Sequence, residues 1–99
     1  MATKDKDITK VIFRKYKDTK DILALFPYNV ERNGLITCYQ HVGQHGSADY
    51  HHCVRMTTLA TSEESKALKN ELESLGYNLD VGKKMSYKQY SKAYQANFK

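Results

Sequence analysis

Ile8-Thr9-Lys10-Val11-Ile12-Phe13-Arg14-Lys15-Tyr16-Lys17, then Asp18-Thr19-Lys20-Asp21, then Ile22-Leu23-Ala24-Leu25-Phe26-Pro27, is the stretch on which the fold turns. Its first ten residues are rich in β-branched and aromatic side chains, which suit a pleated and half-buried surface, and they predict a strand over 8–17. The next four carry turn chemistry. Ile22 to Phe26 is a continuous apolar run ended by Pro27, the pattern of a strand buried on both faces and stopped by a residue that cannot donate to a ladder. Two strands joined so closely predict an antiparallel hairpin.

Working outward, Asn33-Gly34 is a tight-turn dipeptide ahead of a third strand over 35–42. Period-2 alternation places Leu35, Thr37, Tyr39 and His41 on one face and Ile36, Cys38, Gln40 and Val42 on the other. A glycine-rich loop follows, and Cys53-Val54-Arg55-Met56-Thr57 is expected to return as a short fourth strand. Thr61-Ser62-Glu63-Glu64 is a capping box that starts a helix over about 62–75, burying Leu68, Leu72 and Leu75 and stopped by Gly76. Tyr77 to Val81 fits a fifth strand. Ser86 with Gln89 repeats the capping pattern, and Tyr87, Tyr90, Tyr94 and Phe98 follow at helical spacing, so a helix over about 86–97 closes the chain with its aromatic stripe buried. The fold class expected is α+β: an antiparallel sheet of four to five strands, the helix at 62–75 on one face, and the C-terminal helix.

Ninety-nine residues allow one domain with a single modest core, and eight Tyr and three Phe mark the chain as folding rather than disordered. Residues 1–7 read as a flexible tail. No apolar run approaches the roughly 20 residues that span a bilayer, and the charged opening Met1-Ala2-Thr3-Lys4-Asp5 lacks the apolar stretch of a signal peptide. A cytoplasmic location without membrane attachment is therefore expected, with Cys38 and Cys53 as reduced, partly buried thiols.

The net charge of +5 is unevenly spread. Residues 1–20 carry seven Lys/Arg against three Asp, residues 21–82 carry four against eight Asp/Glu, and residues 83–99 carry five Lys and no acid. Basic ends flanking an acidic middle are an electrostatic footprint for nucleic acid or another polyanion, unless the ends pack against the acidic helix or are simply solvated. Lys84, Lys88 and Lys92 are the candidate phosphate contacts, with neighbouring tyrosines able to stack on bases.

All four histidines, two of the five glycines and Cys53 fall within His41-Val42-Gly43-Gln44-His45-Gly46-Ser47-Ala48-Asp49-Tyr50-His51-His52-Cys53. Imidazoles carry protons near neutral pH, ligate metals and grip anions, so chemistry is expected here if anywhere. Zinc takes about four N, S or O donors, and His41, His45, His51, His52 and Cys53 supply enough, yet only His41-x3-His45 resembles a familiar ligand pair. Catalysis would use His45 as a base beside Ser47 or Asp49, without any nucleophile-elbow motif around the serine. A ligand or phosphate grip would use Gly43, Gln44, His45 and Gly46, whose backbone N–H groups make an anion-binding concavity. The plainest alternative is a structural turn, with Gly43 and Gly46 at positive φ and Asp49 closing an Asx-type turn.

Phe13-Arg14, Ala24-Leu25-Phe26-Pro27, the run from Tyr39 to Gly46 with Ala48-Asp49, and the run from Glu71 to Leu79 together resemble a family of small proteins from bacteria and their phages. The resemblance covers about residues 11–81, and its most specific part is the His-x-Gly-Gln-His-Gly-x-Ala-Asp string. It implies a bacterial or phage cytosolic origin and makes the glycine loop the family signature, and it implies no activity. No motif calls for a cofactor. The expectation is a non-enzymatic binding module contacting nucleic acid or a protein partner through its basic ends, the alternative being a small enzyme or metal protein built on the loop at 41–53.

Overall fold

Strands β1 (Ile8–Tyr16) and β2 (Ile22–Val30) form the expected antiparallel hairpin, with Ile12 opposite Leu25 and Lys15 opposite Ile22. The structure is a computed structural model and describes residues 8–31, 33–40 and 45–98; the tail expected over 1–7 lies outside the described residues. The hairpin closes through the Tyr16 N–H, which donates to the Asp21 carbonyl at 2.9 Å, and through Lys20 at φ 68°. Asp18 accepts from the Thr19 N–H at 2.7 Å, the side-chain-to-backbone bond that makes aspartate a turn former.

Strand β2 does not end at Pro27. The ladder to β3 (Ile36–Tyr39) pairs Phe26 with Thr37 and then resumes at Val30 with Ile36, so the proline sits inside an irregularity where no ladder donor is required. The Asn33-Gly34 turn is present, with Gly34 at φ 88° and the Asn33 side chain accepting from the Leu35 N–H at 3.1 Å. Strand β3 is shorter than expected; its predicted extension through His41 and Val42 lies outside the described residues.

The segment read as loop then strand folds differently. His45–Ala48 is strand β4, antiparallel to β3, and Tyr50–Met56 is helix α1, so Cys53 to Met56 is helical and only Thr57–Leu59 is strand, β5. Asp49 caps α1 by accepting from the His51 N–H at 3.1 Å, which satisfies one of the orphan donors of the first turn. Helix α2 (Ser62–Ser74) has the predicted reciprocal capping box between Thr61 and Glu64 and ends at Gly76, φ 103°. Strand β6 (Asn78–Gly82) follows, and helix α3 (Tyr87–Phe98) closes the chain, with the Gln89 N–H donating to Ser86 Oγ at 3.3 Å.

The fold is α+β as expected, with six strands and three helices among the described residues. Strand order is β4-β3-β2-β1, and the far edge of β1 is shared: β5 pairs antiparallel with Arg14 to Tyr16, while β6 pairs parallel with Ile8 to Ile12. Alternation along β1 and β2 splits the apolar side chains between two layers. Val11, Phe13, Ala24 and Phe26 pack with Leu68 and Leu72 of α2, and Ile12, Leu23 and Leu25 pack with Cys53 of α1, Met85 and the Tyr90–Tyr94 side of α3. Helices therefore cover both faces of the sheet. Two residues predicted as buried are not: Leu75, at the end of α2, is 56% exposed, and Tyr87 is 70% exposed because α3 turns its Tyr90, Ala93 and Tyr94 toward the core instead.

Candidate functional site

The polar residues of β4 and its exit have structural partners. Ser47 Oγ donates to a Glu31 carboxylate oxygen at 2.5 Å, and the Asp49 carboxylate caps α1. Among the described side chains neither is held against a base in the way nucleophilic catalysis requires, and the side chain of His45, the expected base, lies outside them. Gly46 lies in β4 opposite Cys38 rather than at positive φ, and a Cβ there would meet Cys38 Sγ at 3.7 Å. His41, Gly43 and Gln44 lie outside the described residues, and His45 is described through its backbone alone. His51 and His52 are exposed on α1 while Cys53 is buried beneath it, so the expected ligand set is divided between solvent and core. Among the described residues no group of three or more His, Cys, Asp or Glu side chains converges as a metal site would.

A different set converges at the shared edge of β1. Strands β5 and β6 run toward each other along that edge, and their carboxyl ends, Leu59 and Gly82, meet near Phe13. The chain leaves Leu59 for α2 on one face and leaves Gly82 for α3 on the other. The two strand ends and their diverging connections leave a crevice at this edge. Here it holds two cavities that share Leu59 and Lys83, one of about 700 Å³ on the α2 side and one of about 730 Å³ on the α1/α3 side.

The second cavity is cationic. Arg14 from β1, His51 and Arg55 from α1, and Lys83 and Lys84 after β6 line it, and among the described residues no carboxylate does. Leu59, Val54 and Met85 supply its apolar lining, with Tyr50 and Tyr87. Tyrosine hydroxyls hold the lysine segment in place: Tyr50 accepts from the Met85 N–H at 3.0 Å and Tyr28 from the Ser86 N–H at 2.8 Å. Lys83 and Lys84 are thereby presented from a tethered turn instead of a free chain.

Arg14 anchors the site. Its side chain is only 8% exposed, and Nε donates to Thr57 Oγ1 at 2.6 Å while Nη2 donates to the Thr57 carbonyl at 2.9 Å and more weakly to the Val54 carbonyl at 3.4 Å. Thr57 Oγ1 donates its own hydrogen bond to the Cys53 carbonyl at 2.6 Å, which leaves a lone pair for the guanidinium. These acceptors are neutral, and Nη1 makes no hydrogen bond among the described residues. Burying a guanidinium carries a desolvation cost, which these neutral acceptors offset in part.

Three other cations are paired within the fold, while Lys17, Lys20, Lys66, Lys88 and Lys92, like those of the cavity, have no ion pair among the described residues. Lys10 bonds Asp80 at 2.5 Å, which raises its pKa; Lys15 bonds Glu64 on α2; and Lys69 pairs with Glu73 at 3.4 Å. Arg14, Arg55, Lys83 and Lys84 have no ion pair among the described residues. Of the lysines expected to contact phosphate, Lys84 lines the cavity, whereas Lys88 and Lys92 are exposed on α3 and do not. The residues missed by the sequence reading were Arg14, Arg55 and Lys83, and His51 was expected only as a metal ligand. Arg14 had a signal: alternation places it between Ile12 and Tyr16 on an inward face, where a charged residue needs a reason. No protein-family model, curated protein or solved structure matches this chain.

Proposed function

We propose that this protein is a non-enzymatic binding module for nucleic acid, and that the crevice between β5 and β6 is its phosphate-binding surface. One observation carries the reading: a cavity of about 730 Å³ lined by Arg14, Arg55, Lys83 and Lys84, with no carboxylate among its described lining residues. A net charge of +5 adds long-range attraction. Arg14 is the fixed contact, Arg55 and the lysines are mobile ones, and Lys88 and Lys92 extend the positive surface along α3.

Lysines near phosphates release condensed counterions, so log K falls with log[salt] at about −0.7 to −0.9 per phosphate neutralised. The test is binding of a labelled oligonucleotide across a salt series. Lys83→Glu with Lys84→Glu should weaken binding at every salt concentration and flatten the slope by about one for each lysine lost. Lys88→Glu with Lys92→Glu should have the smaller effect. A slope unchanged in the first pair, or absence of binding at low salt, overturns the proposal.

A further inference from the structure

We infer that the nucleic acid taken up is single-stranded, with an unpaired base against Tyr87 and the adjoining phosphate reaching Arg14 inside the crevice; this rests on the nucleic-acid reading above. Three features carry it. One cation is recessed: Arg14 is only 8% exposed and lines a cavity of about 730 Å³, the size of a small-molecule site. A flexible single strand bends one phosphate toward a recessed guanidinium more readily than a duplex, whose phosphates are held on a stiff helix.

The second feature is Tyr87. It is 70% exposed at the cavity wall, although a tyrosine of this helix has a core to pack into, as Tyr90 and Tyr94 do. Its ring stacks on Tyr90 with centroids 6.1 Å apart and planes 28° from parallel, and Tyr90 is itself fixed by donating to the Gly34 carbonyl at 2.6 Å. The outer ring is thus a pre-oriented platform with one face open. Base stacking on such a face is indifferent to sequence, because every base has a π-face, and it is denied to paired bases inside a duplex.

Third, the cavity that Tyr87 lines has apolar lining as well, Leu59 and Met85, with Leu59 43% exposed. Phosphate contact alone leaves that surface wet. A base lying over it removes apolar area from water while the sugar-phosphate edge faces Arg14 and Lys84.

The full chain is titrated at low salt with end-labelled oligo(dT), oligo(U) and a blunt DNA duplex of matched phosphate number, by anisotropy. Quenching of tyrosine emission is read in parallel, which the absence of Trp makes visible. The two single strands should bind about ten-fold more tightly than the duplex and quench emission, and Tyr87→Ala should remove most of that preference while Tyr87→Phe keeps it. Tyr87 is exposed, so its loss leaves the fold intact, and circular dichroism verifies this. Equal or tighter binding of the duplex, or single-strand binding indifferent to Tyr87→Ala, overturns the single-strand inference and leaves the polyanion reading standing. No binding of any of the three probes overturns both.

Discussion

Arg14 and the two cysteines show how the same buried layer treats charge in opposite ways. Arg14 keeps its charge inside because Thr57 and Val54 offer oxygen acceptors and because one side of it opens on the crevice. Cys38 and Cys53 are free, buried in the layer that α1 and α3 cover, and desolvation pushes both thiols above their usual range. The thiolate is the reactive species, so both should be inert in the native state. An aromatic disulfide reagent near pH 8 is expected to titrate two thiols only after denaturant is added. Rapid reaction of either in native buffer would show that the α1/α3 layer opens. Arg14 was legible as an anomaly of the strand pattern, but its partners were not, because Thr57 lies 43 residues away and only the β1–β5 pairing brings the two together.

At the scale of elements, what local chemistry dictates was readable and what depends on distant pairing was not. Helix α2 has its own start, stripe and stop, and these survive any tertiary context. Leu72 is fully buried against the β1/β2 layer, and Leu72→Ala is expected to destabilise the protein by about 2–5 kcal/mol, because the removed methyl groups leave a cavity between helix and sheet. Equilibrium denaturation measures this, and a variant as stable as the parent would mean that α2 does not carry its face of the core. The segment from His45 to Leu59 had weaker signals. Strand β4 contains Gly46 and has only four residues, so neither propensity nor alternation marks it, and its existence depends on pairing with β3. Helix α1 has seven residues, too few to stand alone, and tertiary contact through Tyr50 and Cys53 makes it helical where Val54 and Thr57 read as strand. The signal that would have found it is Asp49 as cap, with Tyr50, Cys53 and Thr57 at helical spacing. The same limit applies to the candidate site: basic character near the C-terminal part was visible in composition, whereas its convergence with Arg14 and Arg55 follows from β6 choosing the edge of β1.

Across the whole molecule, charge is sorted rather than spread. The crevice at β5 and β6 is lined by cations without an ion pair among the described residues, while Glu64 of α2 and Asp80 of β6 answer Lys15 and Lys10 of β1, so the basic charge of β1 is partly neutralised. The contact between Lys15 and Glu64 ties α2 to the sheet, and it has a pH signature. Hydrogen bonding to the Lys15 ammonium, helped by the Thr61 N–H, holds the Glu64 carboxyl below its usual range. A carboxyl depressed in the folded state binds its proton more readily in the unfolded chain, whose value is about 4.3. Its stabilising contribution is therefore present above that value and is lost as pH falls through the lower, folded one. Glu64→Gln keeps an acceptor for the Thr61 N–H and removes the charge. Thermal midpoints measured from about pH 7 down to about pH 3 should show the parent above the variant at neutral pH and converging with it on acidification, with the convergence setting in below about pH 4.3. Both proteins are exposed to the same protonation of every other carboxylate, so the difference between the two curves isolates this one. Curves that stay parallel throughout would mean that the Lys15–Glu64 contact is solvated away and that α2 is held by its apolar stripe and capping box alone.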